Sequence, residues 1–567
     1  MRRASLLFAA TAAAVLASPA STGAFRDATR GSGIAMKVAT DLPRLKLIGT
    51  MSGGCAMGDF DGDGRPDLYV TNSTSHWGKP NTEHCGRLFH NVGGGHFQDV
   101  TAASGIRACG LGMGAFWADL DGGGRADLYL TNVGANAVWW NRGDGTFEEG
   151  KDTGLEDPLF SVGAAFLDYD GDGRLDVAVA NYLDSTPEWE ASQPQLQLRV
   201  PEDYIGQPSH LFHNEGGRKF RDVTAAAGLA IPPAETKTLS IAVLDYDADG
   251  WSDLYFVNDR AGNRLFRNRG DGTFEEVTAE TGAGVLGDRP RAGMGVAAGD
   301  PFGDGRESLF VTNFGAEPNS LYRNVQGALF EDAGSAAGVS GVGEPYVRWG
   351  THFADFDNDG WLDLYAAGGH LAPRIVRMLG HYKRGYAAYV DAGEKAFAQP
   401  TVLLHNRGAG RFEAWADPGE LSKLRMAARG TAVGDVDGDG ALDLVIVDLA
   451  GPVRVLHNTA GAGRGWLEIA PRPGADRRTV LGTRVRVTSG GRAQTQVFRV
   501  SASYASGSLV PLHFGLGATE GADEVEVRWP WGQAQVFAKV AGGRAYAIAP
   551  GGALGAAGVG SAPAKVP

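Results

Sequence analysis

Short runs in which apolar and polar residues alternate recur along most of the chain, each cut off by Gly, Asp or Asn, and this period of two predicts β-strands joined by tight turns. Two such runs form a unit. The first is Asp59-Phe-Asp61-Gly-Asp63-Gly-Arg-Pro-Asp67 followed by Leu-Tyr-Val-Thr-Asn. The second is an apolar strand ending in Asn, a Gly-rich turn, then Phe and renewed alternation, as in Leu88-Phe-His-Asn91 to Phe97-Gln-Asp-Val-Thr101 and Leu265-Phe-Arg-Asn268 to Phe274-Glu-Glu-Val-Thr278. The unit returns at Asp119, Asp168, Asp245, Asp300, Asp355 and Asp435, seven copies at intervals of roughly 50 to 80 residues. Each copy holds about four short antiparallel strands, with the Gly-rich turn making a hairpin.

Seven four-stranded units predict an all-β fold, a seven-bladed β-propeller that removes exposed sheet edges by radial repetition. The ends of the repeat region distinguish a ring from a linear stack. The seventh copy stops after Leu456-His-Asn-Thr459 without its last strand, while Phe25-Arg-Asp-Ala-Thr29 with Gly33-Ile34 parallels Phe97 to Thr101 with Gly105-Ile106. Residues 25 to 29 are therefore expected to supply the outer strand of the last blade. The predicted organisation is a signal peptide over 1–24, the propeller over 25–460, a small C-terminal β-domain over 465–548 and a disordered tail over 549–567. Two insertions, about 184–207 and 370–400, exceed ordinary connections and are first candidates for a ligand-facing surface.

The Asp-rich segment carries chemistry. In D-x-D-x-D-G-x-x-D, carboxylates stand at positions 1, 3, 5 and 9, and the Gly at 6 permits a sharp turn; oxygen ligands at alternate positions suit Ca²⁺, which takes about six to eight oxygens. The carbonyl of position 7 is a further expected ligand. Asp and Gly also make good turns without a metal. Like charges about 4 Å apart, however, cost roughly 4 kcal/mol at an effective dielectric of 20, and a cation removes that repulsion.

Five loops are complete: Asp59, Asp61, Asp63, Arg65 (carbonyl) and Asp67; Asp168, Asp170, Asp172, Arg174 (carbonyl) and Asp176; Asp245, Asp247, Asp249, Trp251 (carbonyl) and Asp253; Asp355, Asp357, Asp359, Trp361 (carbonyl) and Asp363; Asp435, Asp437, Asp439, Ala441 (carbonyl) and Asp443. The second keeps Asp119, Asp121 and Asp127 but has Gly123 at position 5, and is expected to bind weakly. The fifth has Phe302 at position 3 and Ser308 at position 9, and is expected to survive only as a turn. About five or six structural Ca²⁺ ions follow.

Composition agrees. Gly, at 85 residues, is about double the ordinary share, as many turns require. The net charge of −14 disfavours nucleic acid as a partner. The seven loops contain 25 of the 66 acidic residues, so the acidity is mainly that of the loops. Arg2-Arg3, an apolar run from Leu6 to Ala17 and small residues to Ala24 have the layout of an export signal, and no later run reaches the length of a membrane span. A secreted or periplasmic location is expected. Cys85 and Cys109 are a candidate disulfide, with Cys55 left over.

The loops resemble the FG-GAP/VCBS repeats of integrin α-subunit propellers over about residues 25–460. Gly482-Thr-Arg-Val-Arg-Val487, Leu512-His-Phe-Gly-Leu-Gly517 and Val525-Glu-Val-Arg-Trp-Pro530 resemble the ASPIC/UnbV domain. The combination is similar to the cartilage acidic protein family and implies a calcium-dependent extracellular scaffold, with no uniform activity. Ser501-Ala-Ser-Tyr-Ala-Ser506 departs from that pattern, where a Gly-rich run ending in Ser-Gln is usual.

Arg142-Gly-Asp144 and Arg269-Gly-Asp271 spell an integrin-ligand tripeptide, but the hairpin turn itself explains them. His90, His213, His405 and His457 recur one place before the strand-ending Asn and are read as packing residues. The function expected is a binding or adhesion scaffold for a glycan or protein. The alternative is an enzyme, a lyase, hydrolase or cyclase, using Arg348, Trp349 and His352 with His370, His381, Lys383 and Arg384; no nucleophile elbow, phosphate loop or histidine zinc motif accompanies them.

Overall fold

The computed structural model describes residues 23–38, 47–73, 84–186, 201–284, 289–315, 317–342, 346–371 and 397–556. The expected signal segment up to residue 22, the middles of both insertions with His381, Lys383 and Arg384, and the tail from 557 lie outside the described residues.

Seven blades of four antiparallel strands follow one another as blades 1 to 7, built on residues 55–99, 112–149, 161–222, 238–276, 293–332, 348–414 and 428–458 with 25–27. Their innermost strands pack side by side in chain order, and Cys55–Gly58 of blade 1 packs on Ala428–Gly434 of blade 7. The Gly430 N–H donates to Gly53 O across that seam at 3.0 Å. The chain is thus an all-β propeller whose ring is closed.

Phe25–Asp27 is the outermost strand of blade 7, with Phe25 opposite Asn458 and Asp27 opposite Leu456. Blade 1 shows the same register within one copy, Phe97 opposite Asn91 and Asp99 opposite Phe89. In both strands only the Phe is buried, so a single side chain fixes which face turns inward. In four blades that Phe packs on an aromatic residue at position 2 of the preceding blade's Asp loop. Phe147 lies 5.8 Å from Phe60, Phe274 6.1 Å from Tyr169, Phe330 6.0 Å from Tyr246 and Phe25 5.5 Å from Phe356. Neighbouring blades are therefore held by aromatic contacts that the repeat encodes twice, once in the loop and once in the outer strand.

The C-terminal domain is two four-stranded sheets packed around Leu467, Ile469, Val485, Phe514, Val525 and Trp529. Gly555–Ala556 adds a short edge strand opposite Tyr546 and Ala547, so order continues past 548 into the segment expected to be a disordered tail. Backbone pairing overrides the low-complexity composition there.

The segment that departs from the family pattern enters the propeller's central channel. Ser501–Ala502 and Ser506–Ser508 form a small hairpin, and Ser506–Ser508 pairs in parallel with the innermost strand of blade 2, Gly112–Ala118. Its serines take over the backbone donors that line a channel. Ser503 Oγ accepts from the Thr351 N–H at 3.0 Å, Ser506 Oγ from Cys55 at 3.1 Å and Ser508 Oγ from Met57 at 3.3 Å. Tyr504, fully buried, donates its hydroxyl to Met51 O at 2.7 Å and meets Trp349 edge-on at 4.7 Å. Small hydroxyl side chains fit where blade backbones converge and leave few buried donors unpaired.

Candidate metal centres

Each Asp loop joins the innermost strand of a blade to the second, so all seven open on the same end of the ring. The loop is wound by its own carboxylates. Position 1 accepts from the N–H of the Gly at position 6, at 3.0 Å for Asp59 and Gly64, 2.9 Å for Asp168 and Gly173 and 2.7 Å for Asp355 and Gly360. Position 5 accepts from the N–H of position 7, at 2.9 Å for Asp63 and Arg65, 2.8 Å for Asp172 and Arg174, 2.9 Å for Asp249 and Trp251, 2.8 Å for Asp359 and Trp361 and 2.9 Å for Asp439 and Ala441. The turn needs a left-handed residue at position 6, and Gly64 has φ of 86°. At the exposed rim, Arg65 and Arg174 also pair with Asp63 and Asp172.

Position 9 has a second task that spacing alone does not reveal. Asp67, Asp127, Asp176, Asp253, Asp363 and Asp443 are all buried at the start of the second strand. One oxygen accepts from the N–H of position 2, as Asp67 does from Phe60 at 3.1 Å. The other accepts from the N–H of the third-strand Asn, as from Asn91 at 2.8 Å. The side-chain amide of that Asn crosses to the preceding blade. Asn141 donates to Phe60 O at 2.8 Å, Asn214 to Leu120 O at 2.9 Å, Asn458 to Phe356 O at 2.6 Å, and Asn91 to Val436 O at 2.9 Å, which completes the circuit from blade 1 to blade 7. The recurrent Asn is the signal for this belt, which binds every loop to the next blade.

Burial, and then neighbouring carboxylates, raise the pKa values of these groups without a cation. Asp61, Asp119, Asp168 and Asp245 are pushed up to about 6. Asp355 and Asp435 rise to about 7, Asp176 and Asp253 to about 8, all with burial as the first cause. Buried Oδ1 atoms of Asp119, Asp168, Asp245 and Asp357 have no hydrogen-bond partner. Crowded hard oxygens with unused lone pairs fit a divalent cation, and the all-oxygen set at positions 1, 3 and 5 fits Ca²⁺.

The histidines pack as expected, His90 on Phe60, His213 on Tyr169 and His405 on Trp415, and they also face these loops. His90 Nδ1 lies 3.1 Å from Asp67 and 3.5 Å from Asp61; His213, His405 and His457 take equivalent places in blades 3, 6 and 7. Blade 4 has Arg267 there, 2.9 Å from Asp247, and blade 5 has Arg323, 3.5 Å from Asp304.

The C-terminal domain sits on the loop end of the ring and touches the loops of all seven blades. Arg472 is 3.8 Å from Asp59, Arg477 donates to Gly123 O at 3.0 Å, and the Thr479 N–H donates to Gly173 O at 2.9 Å. Arg484 reaches Asp245 at 3.6 Å and Gly305 O at 3.4 Å. The Gly517 N–H donates to Asn358 O at 2.8 Å, and Trp466 stands against Gly440. Between this domain and loops 1, 2 and 7 lies a cavity of about 710 Å³, walled by Phe498, Leu481 and Val510 on one side and Asp59, Asp119 and Asp435 on the other.

Two family models match: FG-GAP-like repeat over residues 59–130, 119–179, 245–311 and 300–366, and ASPIC and UnbV over 474–554. The chain carries FG-GAP-like repeats and an ASPIC and UnbV domain. Cartilage acidic protein 1 of Xenopus tropicalis is 30% identical over 294 residues, 50% of this chain and 40% of that protein. The Homo sapiens protein is 28% identical over 341 residues, 58% and 46% of the two chains. The matched region thus spans less than half the length of these relatives. Similar solved structures include an Agrocybe aegerita lectin that recognises non-reducing terminal N-acetylglucosamine, at TM-score 0.35 and 16% identity over 72% of this chain and 90% of that one. YCF48 bound to D1 peptide matches at TM-score 0.39 and 8% identity, over 78% and 100%.

His352 is buried between blades 6 and 7 with Nε2 2.9 Å from Thr431 Oγ1, and burial pushes it down to about 4. His370 is likewise buried and pushed down to about 3, while Arg348 is buried with its guanidinium 5.4 Å from the Tyr346 ring. The Arg142 and Arg269 tripeptides form exposed hairpin turns in which Asp144 and Asp271 each accept from a Thr hydroxyl at 2.6 Å, which is turn chemistry. Cys85 and Cys109 form a disulfide, and Cys55 is buried and free. No helix among the described residues is long and apolar enough to cross a membrane.

Proposed function

We propose that the protein is an exported, calcium-dependent scaffold that binds a glycan or protein ligand. The observation that carries the reading is the set of seven Asp loops on one end of the ring, where buried carboxylates crowd together with unpaired oxygens. Bound Ca²⁺ would supply the charge those oxygens lack. Asp59, Asp61 and Asp63, and their counterparts in the other complete loops, would hold it, and position 9 would keep each loop fixed to strand three. The cavity under the ASPIC and UnbV domain is the ligand site we favour, since a space of about 300 to 1,000 Å³ with an apolar wall and a few polar groups suits a small ligand or a side chain. The Cys85–Cys109 disulfide supports an oxidising compartment, as does the name of the cartilage relatives.

The deciding experiment is a thermal melt of the exported form with chelator and with calcium titrated back, with metal counted by elemental analysis. A ligand specific to the folded state raises stability by about 2.7 kcal/mol at 100 times its Kd. A large calcium-dependent rise with several ions bound is expected. An unchanged melt with no bound metal would reduce the loops to turns and end this reading.

A further inference from the structure

The third-strand histidines are not scattered over the seven copies. They occur in blades 1, 3, 6 and 7, all with a complete set of loop aspartates. The two incomplete loops, in blades 2 and 5, face Trp140 and Arg323. A residue retained for packing alone has no reason to follow the carboxylate count, and Trp140 shows that the position takes an apolar ring.

Geometry separates these four sites from the rest. His213 Nδ1 lies 3.4 Å from Asp170 and 3.3 Å from Asp176; His405 Nε2 lies 3.4 Å from Asp357 and 3.5 Å from Asp359; His457 Nδ1 lies 3.3 Å from Asp437. In each blade, one nitrogen and two carboxylate oxygens fall within 4.8 Å of one another. Adjacent ligands of an ion bound at about 2.1 Å stand about 3 Å apart, so small shifts would bring these atoms onto one centre. His213 is 9% exposed, and His213 Nδ1 and His405 Nε2, the atoms that face the carboxylates, are buried without a hydrogen-bond partner. A buried imidazole nitrogen left unpaired among carboxylates is costly unless something else binds it.

We infer that loops 1, 3, 6 and 7 are mixed carboxylate and imidazole centres that hold a first-row divalent ion such as Mn²⁺ more tightly than Ca²⁺. Loop 4, with Arg267 in the histidine's place, lacks the nitrogen ligand. Imidazole suits transition ions, whereas Ca²⁺ selects oxygen. The inference rests on the reading that the loops hold cations.

The test uses the full chain stripped of metal, with Mn²⁺ as the probe. Native mass spectrometry should count four tightly held Mn²⁺, and pulsed electron paramagnetic resonance should show ¹⁴N coupling from imidazole. His213→Gln and His457→Gln should each weaken one of the four Mn²⁺ sites at least tenfold, leaving the calcium count unchanged. Bound Mn²⁺ without ¹⁴N coupling in the wild-type protein, a readout that needs no variant to fold, would overturn the inference and leave the calcium scaffold standing. Binding of neither ion would overturn both.

Discussion

Loops 2 and 3 hang from equivalent strands and share Asp at positions 1, 3 and 9, yet those carboxylates have different neighbours. Loop 3 has Asp172 at position 5 and His213 opposite. Loop 2 has Gly123 and Trp140, and Arg218 reaches in from the hairpin of blade 3. Its Nε and Nη2 lie 3.0 and 2.8 Å from Asp121, and its guanidinium is 4.9 Å from the Trp140 ring centre. Arg218 has φ of 64°, at the turn position where blades 1, 2 and 4 carry Gly95, Gly145 and Gly272. A non-glycine residue in that region costs about 1 to 2 kcal/mol, so the contact with Asp121 and Trp140 offsets a real strain. Each hairpin overlies the loop of the blade before it, and a guanidinium from next door can therefore stand in where a loop has lost a carboxylate.

The largest expected effect separates the two directly. Chelation should lower the melting temperature of the whole protein and strip amide-exchange protection from residues 168–176, while 119–127, held by Arg218, keeps it; equal loss in both loops would break the comparison. Next comes pH. Asp176 rises to about 8 and Asp67 to about 7, mainly through burial, so the folded metal-free protein binds protons more tightly than the unfolded chain. That stability is fully present below the ordinary carboxylate range, near about 4, and is lost as pH rises through about 7 to 8. Metal-free protein should thus melt higher at pH 5 than at pH 8, and bound ions should flatten the trend. A smaller change is Asp172→Gly, which gives loop 3 the gap of loop 2 without its arginine. One ion fewer per chain by elemental analysis is expected, and an unchanged count would show that position 5 is dispensable. The smallest effect is a pair at one residue: Arg218→Ala should be less stable than Arg218→Gly by about 1 kcal/mol in urea melts, because both lose the ion pair and only alanine keeps the strained φ.

Much of this arrangement was legible in the chain because it repeats. Seven Asp loops, the Phe of each outer strand and the displaced copy at Phe25 are local patterns, and copies that fold alike reveal one another. The task of position 9 was hidden because its partner, the Asn91 N–H or its equivalent, lies on another strand. The approach of the histidines to the loops was hidden for the same reason, although their match to complete loops was visible in the sequence. Arg218, Arg472 and Arg484 could not be picked out at all: each acts across a blade or domain boundary, and nothing beside it in the chain marks it. The Ser501 to Ser506 departure was noticed, but only the channel explains it, since small hydroxyl residues are what converging strand backbones admit.

The seam at blade 7 also governs how such a chain can be made. The third strand of that blade, Arg454–Asn458, finds its neighbour in Phe25–Asp27, so the first strand of the ring to be made must wait for almost the last. Synthesis at about 5 to 20 residues per second leaves a nascent array with an unpaired edge for tens of seconds, an exposure that invites pairing with other chains. The channel hairpin at 501–508 is translated later still. It can seat only once blades 1, 2, 4 and 6 surround it, which makes its insertion a natural last step, locking a ring that until then could still spring open.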